Sequence, residues 1–182
     1  MLGVVFTEFL EMVEEKFDLD TVDTILDATT LANDGAYTAI GAYDHQEIVQ
    51  LVNALSQHTQ IPIDDLIQTF GHYLAGRFAK LYPEFFEGFS DPFEFLATVD
   101  SYIHREVKKL YPNAQLPSIT TEPIDENTLV VNYRSHRSFG RLAEGLILGA
   151  MNHFECEATI ERHELSAGDN SHVRFIVRKT SA

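Results

Sequence analysis

The chain has 182 residues, 45% of them hydrophobic and 23% charged, with a formal net charge of −15. That length and balance suit one globular domain able to bury roughly 70% of its unfolded surface, and they argue against disorder. The charge repels nucleic-acid backbones and anionic membranes over most of the surface, and no apolar run approaches the ~20 residues that a membrane helix needs. A single cysteine, Cys156, excludes a disulfide framework and any multi-cysteine zinc or iron–sulfur centre. With an N-terminus that lacks a basic region and soon turns acidic, it points to a cytoplasmic protein.

The first two-thirds read as helices. Val5, Phe9, Met12, Val13 and Phe17 fall at helical spacing and form an N-terminal amphipathic helix. Asp20 caps a short helix through Ala28, and Asp44-His45-Gln46-Glu47 has the form of a capping box ahead of Ile48, Leu51, Val52 and Leu55. Pro62 precedes a long helix with the stripe Ile67, Phe70, Leu74, Phe78 and Leu81, closed by Pro83. Gly71 inside that helix costs about 1 kcal/mol relative to alanine, so it marks close packing or room for a bulky group. From Pro92 to Tyr111 a further helix carries Phe93, Leu96, Ala97, Ile103 and Val107 on one face, with His104 at its edge.

The character changes after Pro112. Ser118–Glu122 and Thr128–Arg134 read as strands with a turn at Pro123–Asn127. A helix from about Phe139 to Phe154 is apolar nearly all round, which predicts deep burial. Glu155–Leu165 and His172–Lys179 form a hairpin joined by Ser166-Ala167-Gly168-Asp169-Asn170. Helices followed by antiparallel strands with one embedded helix give an α+β fold, with a seam near Pro112–Pro117 between helical and mixed parts.

Alternation at period two continues Leu129, Val131, Tyr133, Ser135 and Arg137 along one face of the second strand. A phenol, a hydroxyl and an always-charged planar fork can together grip an anion carrying carboxylate groups. His104 lies 29 residues upstream of Tyr133 on a helix. A neutral imidazole there can donate a lone pair to ferrous iron, although taken alone it reads as an ordinary partly buried histidine. The other seven, His45, His58, His72, His136, His153, His163 and His172, form no paired ligand spacing such as His-Glu-x-x-His.

Tyr-x-Ser-x-Arg with its upstream histidine resembles the H-NOX family, the haem nitric-oxide/oxygen-binding domains related to the sensor domain of soluble guanylate cyclase. The resemblance runs from Met1 to about Lys179. It implies a single H-NOX-like domain over 1–182, with a helical N-terminal subdomain over about 1–60. A haem-binding subdomain over about 61–182 then carries a four-stranded antiparallel sheet, with haem b between the two. In such a domain His104 is the proximal iron ligand, Tyr133, Ser135 and Arg137 hold the propionates, and Pro117 presses on the haem and bends it. Val5, Phe9, Leu74, Phe78, Leu142 and Leu146 line the distal side by the same resemblance; by periodicity alone each is simply core.

Oxygen bound to ferrous haem draws negative charge onto its outer atom, and a nearby donor stabilises it. Oxygen-binding members of the family place a tyrosine where this chain has Leu142, and neither Leu74 nor Phe9 offers a donor. The resemblance therefore implies a sensor for nitric oxide, with CO possible and O2 disfavoured by distal polarity. No kinase, cyclase or phosphodiesterase motif is present. The expected output is thus a separate protein, a histidine kinase or a diguanylate cyclase/phosphodiesterase, with no enzymatic activity in this chain. Two alternatives stay open at this point: a haem-independent module whose apolar cavity takes a lipid or quinone, and a haem enzyme such as a peroxidase.

Overall fold

The computed structural model describes residues 1–167 and 170–180. Gly168 and Asp169 of the expected hairpin turn lie outside them. Seven α-helices and four strands are described: α1 (Gly3–Lys16), α2 (Leu19–Asp27), α3 (His45–Thr59), α4 (Ile63–Leu81), α5 (Pro92–Thr98), α6 (His104–Leu110), β1 (Ser118–Asp125), β2 (Thr128–Ser135), α7 (Gly140–His153), β3 (Ala158–Ser166) and β4 (Ser171–Lys179). Short irregular helices occupy Pro83–Phe85 and Val99–Ile103. Helices with a four-stranded antiparallel sheet make the fold α+β, as expected. Among the described residues no helix is long and apolar enough to cross a membrane.

The chain divides into two compact units, Met1–Phe70 and Gly71–Ala182. The division falls inside α4, not at the seam expected near Pro112–Pro117. That proline segment is held within the second unit, because Arg137 donates to Gln115 and the Ile119 amide donates to Asp100.

In the first unit, Phe6, Phe9, Met12, Val13, Ile25, Leu51 and Leu55 are almost wholly buried. Phe9 meets Phe70 edge to face, with ring centroids 5.2 Å apart, and Phe6 stacks on Tyr37 at 4.5 Å. Phe17 departs from the expected apolar stripe: it follows the last turn of α1 as its C-cap and is exposed. Two helix starts are also corrected. Asp18, not Asp20, caps α2, its carboxylate accepting from the Thr21 amide at 2.7 Å. At α3 Asp44 accepts from the Gln46 amide, but Glu47 turns away to the Tyr37 hydroxyl at 2.7 Å, so the expected box is half-formed.

The second unit is built around one face of the sheet, ordered β1-β2-β4-β3. Leu129, Val131 and Tyr133 on β2 and Val173, Phe175 and Val177 on β4 alternate onto that face. Ala143, Ile147, Ala150 and Met151 of α7 cover it, with Phe93, Phe95 and Leu96 of α5. Pro123 is tolerated because β1 is an edge strand, where the missing donor weakens no second ladder. Asp91 caps α5 and also pairs with Lys179 of β4 at 3.0 Å, locking that helix to the sheet.

α7 is buried on its sheet side and again at Gly145 and Gly149, as its composition predicts, but Leu142, Leu146 and Leu148 are partly exposed, so the burial is not complete all round. The embedded glycines explain its other contact. A Cβ on Gly71 would overlap the Leu142 carbonyl oxygen and lie 2.9 Å from the Gly145 Cα. One on Gly149 would lie 2.6 Å from both the His72 carbonyl oxygen and the Ala75 Cβ. Of the two readings of Gly71, the contacts on its missing side chain select close helix packing. These contacts set opposite expectations for two Gly→Ala changes. At Gly76, with nothing within 4 Å of the added carbon, alanine should stabilise the protein by up to about 1 kcal/mol. At Gly149 overlap with backbone should outweigh that gain and destabilise by on the order of 1 kcal/mol. Urea denaturation of the two variants checks the pair, and equal stabilisation would sink the close-packing account.

Candidate functional site

The helix expected over Pro92–Tyr111 is not continuous. α5 ends at Thr98, Val99–Ile103 form a wider π turn, and α6 begins at His104. Single π turns insert an extra residue into the helical register and re-aim the side chains around them, often at functional sites. Here the turn sets Asp100 and His104 side by side, with His104 Nδ1 3.3 Å from Asp100 Oδ1. The same carboxylate oxygen accepts from the Ile119 amide at 3.3 Å, which ties the turn to β1. The Pro117 carbonyl is a second acceptor facing the imidazole.

An ionised carboxylate only accepts hydrogen bonds, so the Nδ1 beside Asp100 carries the proton and a neutral ring keeps its lone pair on Nε2. The His104 side chain is 17% exposed. Burial pushes its pKa below the usual histidine value, against the opposing pull of Asp100. The ring is thus held neutral, which is the form that binds a metal. His104, Asp100 and Pro117 line one depression of about 230 Å³ together with Arg105, Lys108 and Leu116.

Tyr133 is the last buried residue of the apolar stripe on β2, and Ser135 ends the strand. Ser135 Oγ accepts from the Arg137 amide at 3.1 Å, a local turn that competes with the sheet ladder and stops it. Arg137 therefore lies beyond the strand, not on its face as the alternation predicts. It still joins the cluster, because its charge and the Ser135 side chain both act on the Tyr133 phenol, drawing its pKa down against the larger upward push of burial. The net effect is upward, so the phenol stays protonated. The Arg137 guanidinium reaches back to the Gln115 carbonyl at 3.2 Å and side-chain oxygen at 3.3 Å, two residues before Pro117.

Tyr133, Ser135 and Arg137 thus bring together three groups able to donate: a protonated phenol, a hydroxyl and a guanidinium. With a neutral imidazole bearing one bare nitrogen, this donor set suits a metal chelate that carries carboxylates. Leu74 and Phe78 of α4 and Leu142 and Leu146 of α7 lie on two helices that Gly71 and Gly149 bring into backbone contact. None of those four side chains has a donor. Leu74 is buried, whereas Phe78, Leu142 and Leu146 are partly exposed. Val5 and Phe9 belong to α1 in the first unit, Phe9 buried and Val5 partly so.

Sequence reasoning missed Asp100 and Gln115. Asp100 had a visible signal, a carboxylate four residues before the histidine on a helix. Gln115 had none, being 22 positions from Arg137.

A protein-family model described as haem-NO-binding matches residues 2–162. No curated protein sequence matches the chain. Among solved structures, it is similar to the unliganded Fe(II) H-NOX protein from K. algicida, at 37% identity and TM-score 0.91 over 100% of this chain and 98% of that one. The S. oneidensis H-NOX protein in the Fe(II)NO state matches at 25% identity and TM-score 0.89, covering 100% of both chains. The S. woodyi H-NOX in the Fe(II)CO state matches at 37% identity and TM-score 0.83, over 99% of this chain and 95% of that one. Sequence family, fold and donor set converge: the chain belongs to the H-NOX family of haem-based gas-sensor domains.

Proposed function

We propose that this chain is a cytoplasmic nitric oxide sensor that signals in trans and has no catalytic activity of its own. The observation that carries the reading is the 3.3 Å contact of His104 Nδ1 with the Asp100 carboxylate, an acceptor that puts the ring proton on Nδ1 and leaves Nε2 able to donate. Haem b, when bound, supplies a ferrous iron at which a diatomic gas can attach. His104 Nε2 would donate to that iron. Tyr133, Ser135 and Arg137 would hold the propionates through charge-assisted hydrogen bonds, each worth about 1.5–3 kcal/mol when one partner is ionised. Pro117, whose carbonyl faces the His104 ring, would press on the cofactor from the proximal side.

Val5, Phe9, Leu74, Phe78, Leu142 and Leu146 would exclude water from the opposite side while offering no hydrogen bond to a bound gas. That absence favours nitric oxide and CO over O2, since O2 depends most on a polar stabilising contact. In this reading residues 1–182 act as one domain, with a helical part over about 1–60 and a haem-binding part over about 61–182. A separate signalling protein, a histidine kinase or a diguanylate cyclase/phosphodiesterase, reads the ligation state. It can do so only by binding the two forms with different affinity.

Absorbance spectra of the reduced, reconstituted protein test the gas preference. NO should shift the haem band and air should leave no stable oxygen complex; a stable oxygen complex would overturn the Leu142 argument, and a colourless protein the whole reading. His104→Gly should abolish protein ligation of the iron, and added imidazole should restore the spectrum. A variant spectrum identical to the wild type without imidazole would remove His104 from the role.

A further inference from the structure

Asp100 is half-exposed, with its side chain 44% accessible, yet a single carboxylate oxygen serves two donors from different elements. Oδ1 takes the His104 Nδ1 proton and the Ile119 amide, each at 3.3 Å. We propose that Asp100 is a positioning residue that fixes the tautomer and rotation of the His104 imidazole and strengthens its donation to iron. This rests on the reading of His104 as the proximal ligand.

Three features of the chain support it. First, the π turn over Val99–Ile103 places Asp100 within reach of the histidine four residues later. Second, Asp100 is itself anchored. Ile119, the second residue of β1, pairs with Tyr133 on β2, so the carboxylate references the imidazole to the strand that carries the phenol. Third, the other acceptor facing the ring, the Pro117 carbonyl, is neutral. A neutral acceptor can orient the N–H, but a carboxylate draws on the proton harder and leaves more electron density on the far nitrogen. Partners of this kind set both the orientation and the basicity of a metal-ligating histidine. Stronger donation stabilises ferric over ferrous iron and stiffens the iron–histidine bond.

Asp100→Asn separates electronic effect from scaffold, because the amide oxygen can still accept from Ile119 and His104 without the charge. The measurements are the iron–histidine stretch of the ferrous, unliganded protein by resonance Raman and the ferric/ferrous midpoint potential by spectroelectrochemistry. For D100N the stretch should fall in frequency and the potential should rise. Asp100→Glu keeps a negative charge beside the ring and should stay nearer the wild type in both. Urea denaturation of the haem-free variants controls for scaffold effects and should show little change for D100N. If wild-type protein carries His104-ligated haem and D100N matches it in stretch and potential, the inference fails alone. The reverse order, with D100E further from wild type than D100N, also overturns it. Wild-type protein that takes up no haem overturns the sensor reading and this inference together.

Discussion

The hydrogen bond on the inner nitrogen of His104 is the constraint from which the candidate site is built. An imidazole with both nitrogens facing donors or water has no preferred tautomer, and its lone pair points nowhere in particular. Here the Asp100 carboxylate beside Nδ1 can only accept, so the proton is pinned there and the other nitrogen keeps its lone pair. Partial burial keeps the ring neutral. These effects arise from separate causes, local helix geometry and desolvation, and they converge on one chemical outcome.

The same contacts link the histidine to the Tyr133, Ser135 and Arg137 cluster through the backbone. Asp100 reaches Ile119 at the start of β1, β1 pairs with β2, and β2 ends at Tyr133 and Ser135. On the other side of the loop, Arg137 bonds Gln115, two residues from Pro117. The residue range 115–119 is therefore gripped at both ends, by the arginine and by the aspartate. The proline facing His104 sits inside a segment that neither the helix nor the sheet can release independently.

Apolar packing explains where the polar cluster stops. Leu129 and Val131 face the core under α7, and Tyr133 is the last buried residue of that stripe. Beyond it Ser135 captures the Arg137 amide and the chain turns into α7. On the far side of α7 the backbone approaches α4 through Gly71 and Gly149, leaving leucine and phenylalanine side chains beside the contact.

Much of this was legible in the sequence because local rules decided it. Apolar spacing marked the main helices and the embedded α7, alternation marked β2, and the Tyr-x-Ser-x-Arg pattern with His104 marked the family. Some errors are local, as where Asp18 caps α2 and Ser135 captures the Arg137 amide, and others fall where side chains chose distant partners. Glu47 left its capping box for Tyr37, and Arg137 left the strand face for Gln115. Period alone could not show the π turn that interrupts the helix before His104, since one inserted residue leaves the apolar pattern nearly intact. Residue types and their spacing determined which groups could bind a metal and an anion. Only the tertiary structure decided which nitrogen of the histidine carries its proton, because that depends on acceptors brought to the ring from the neighbouring turn and loop.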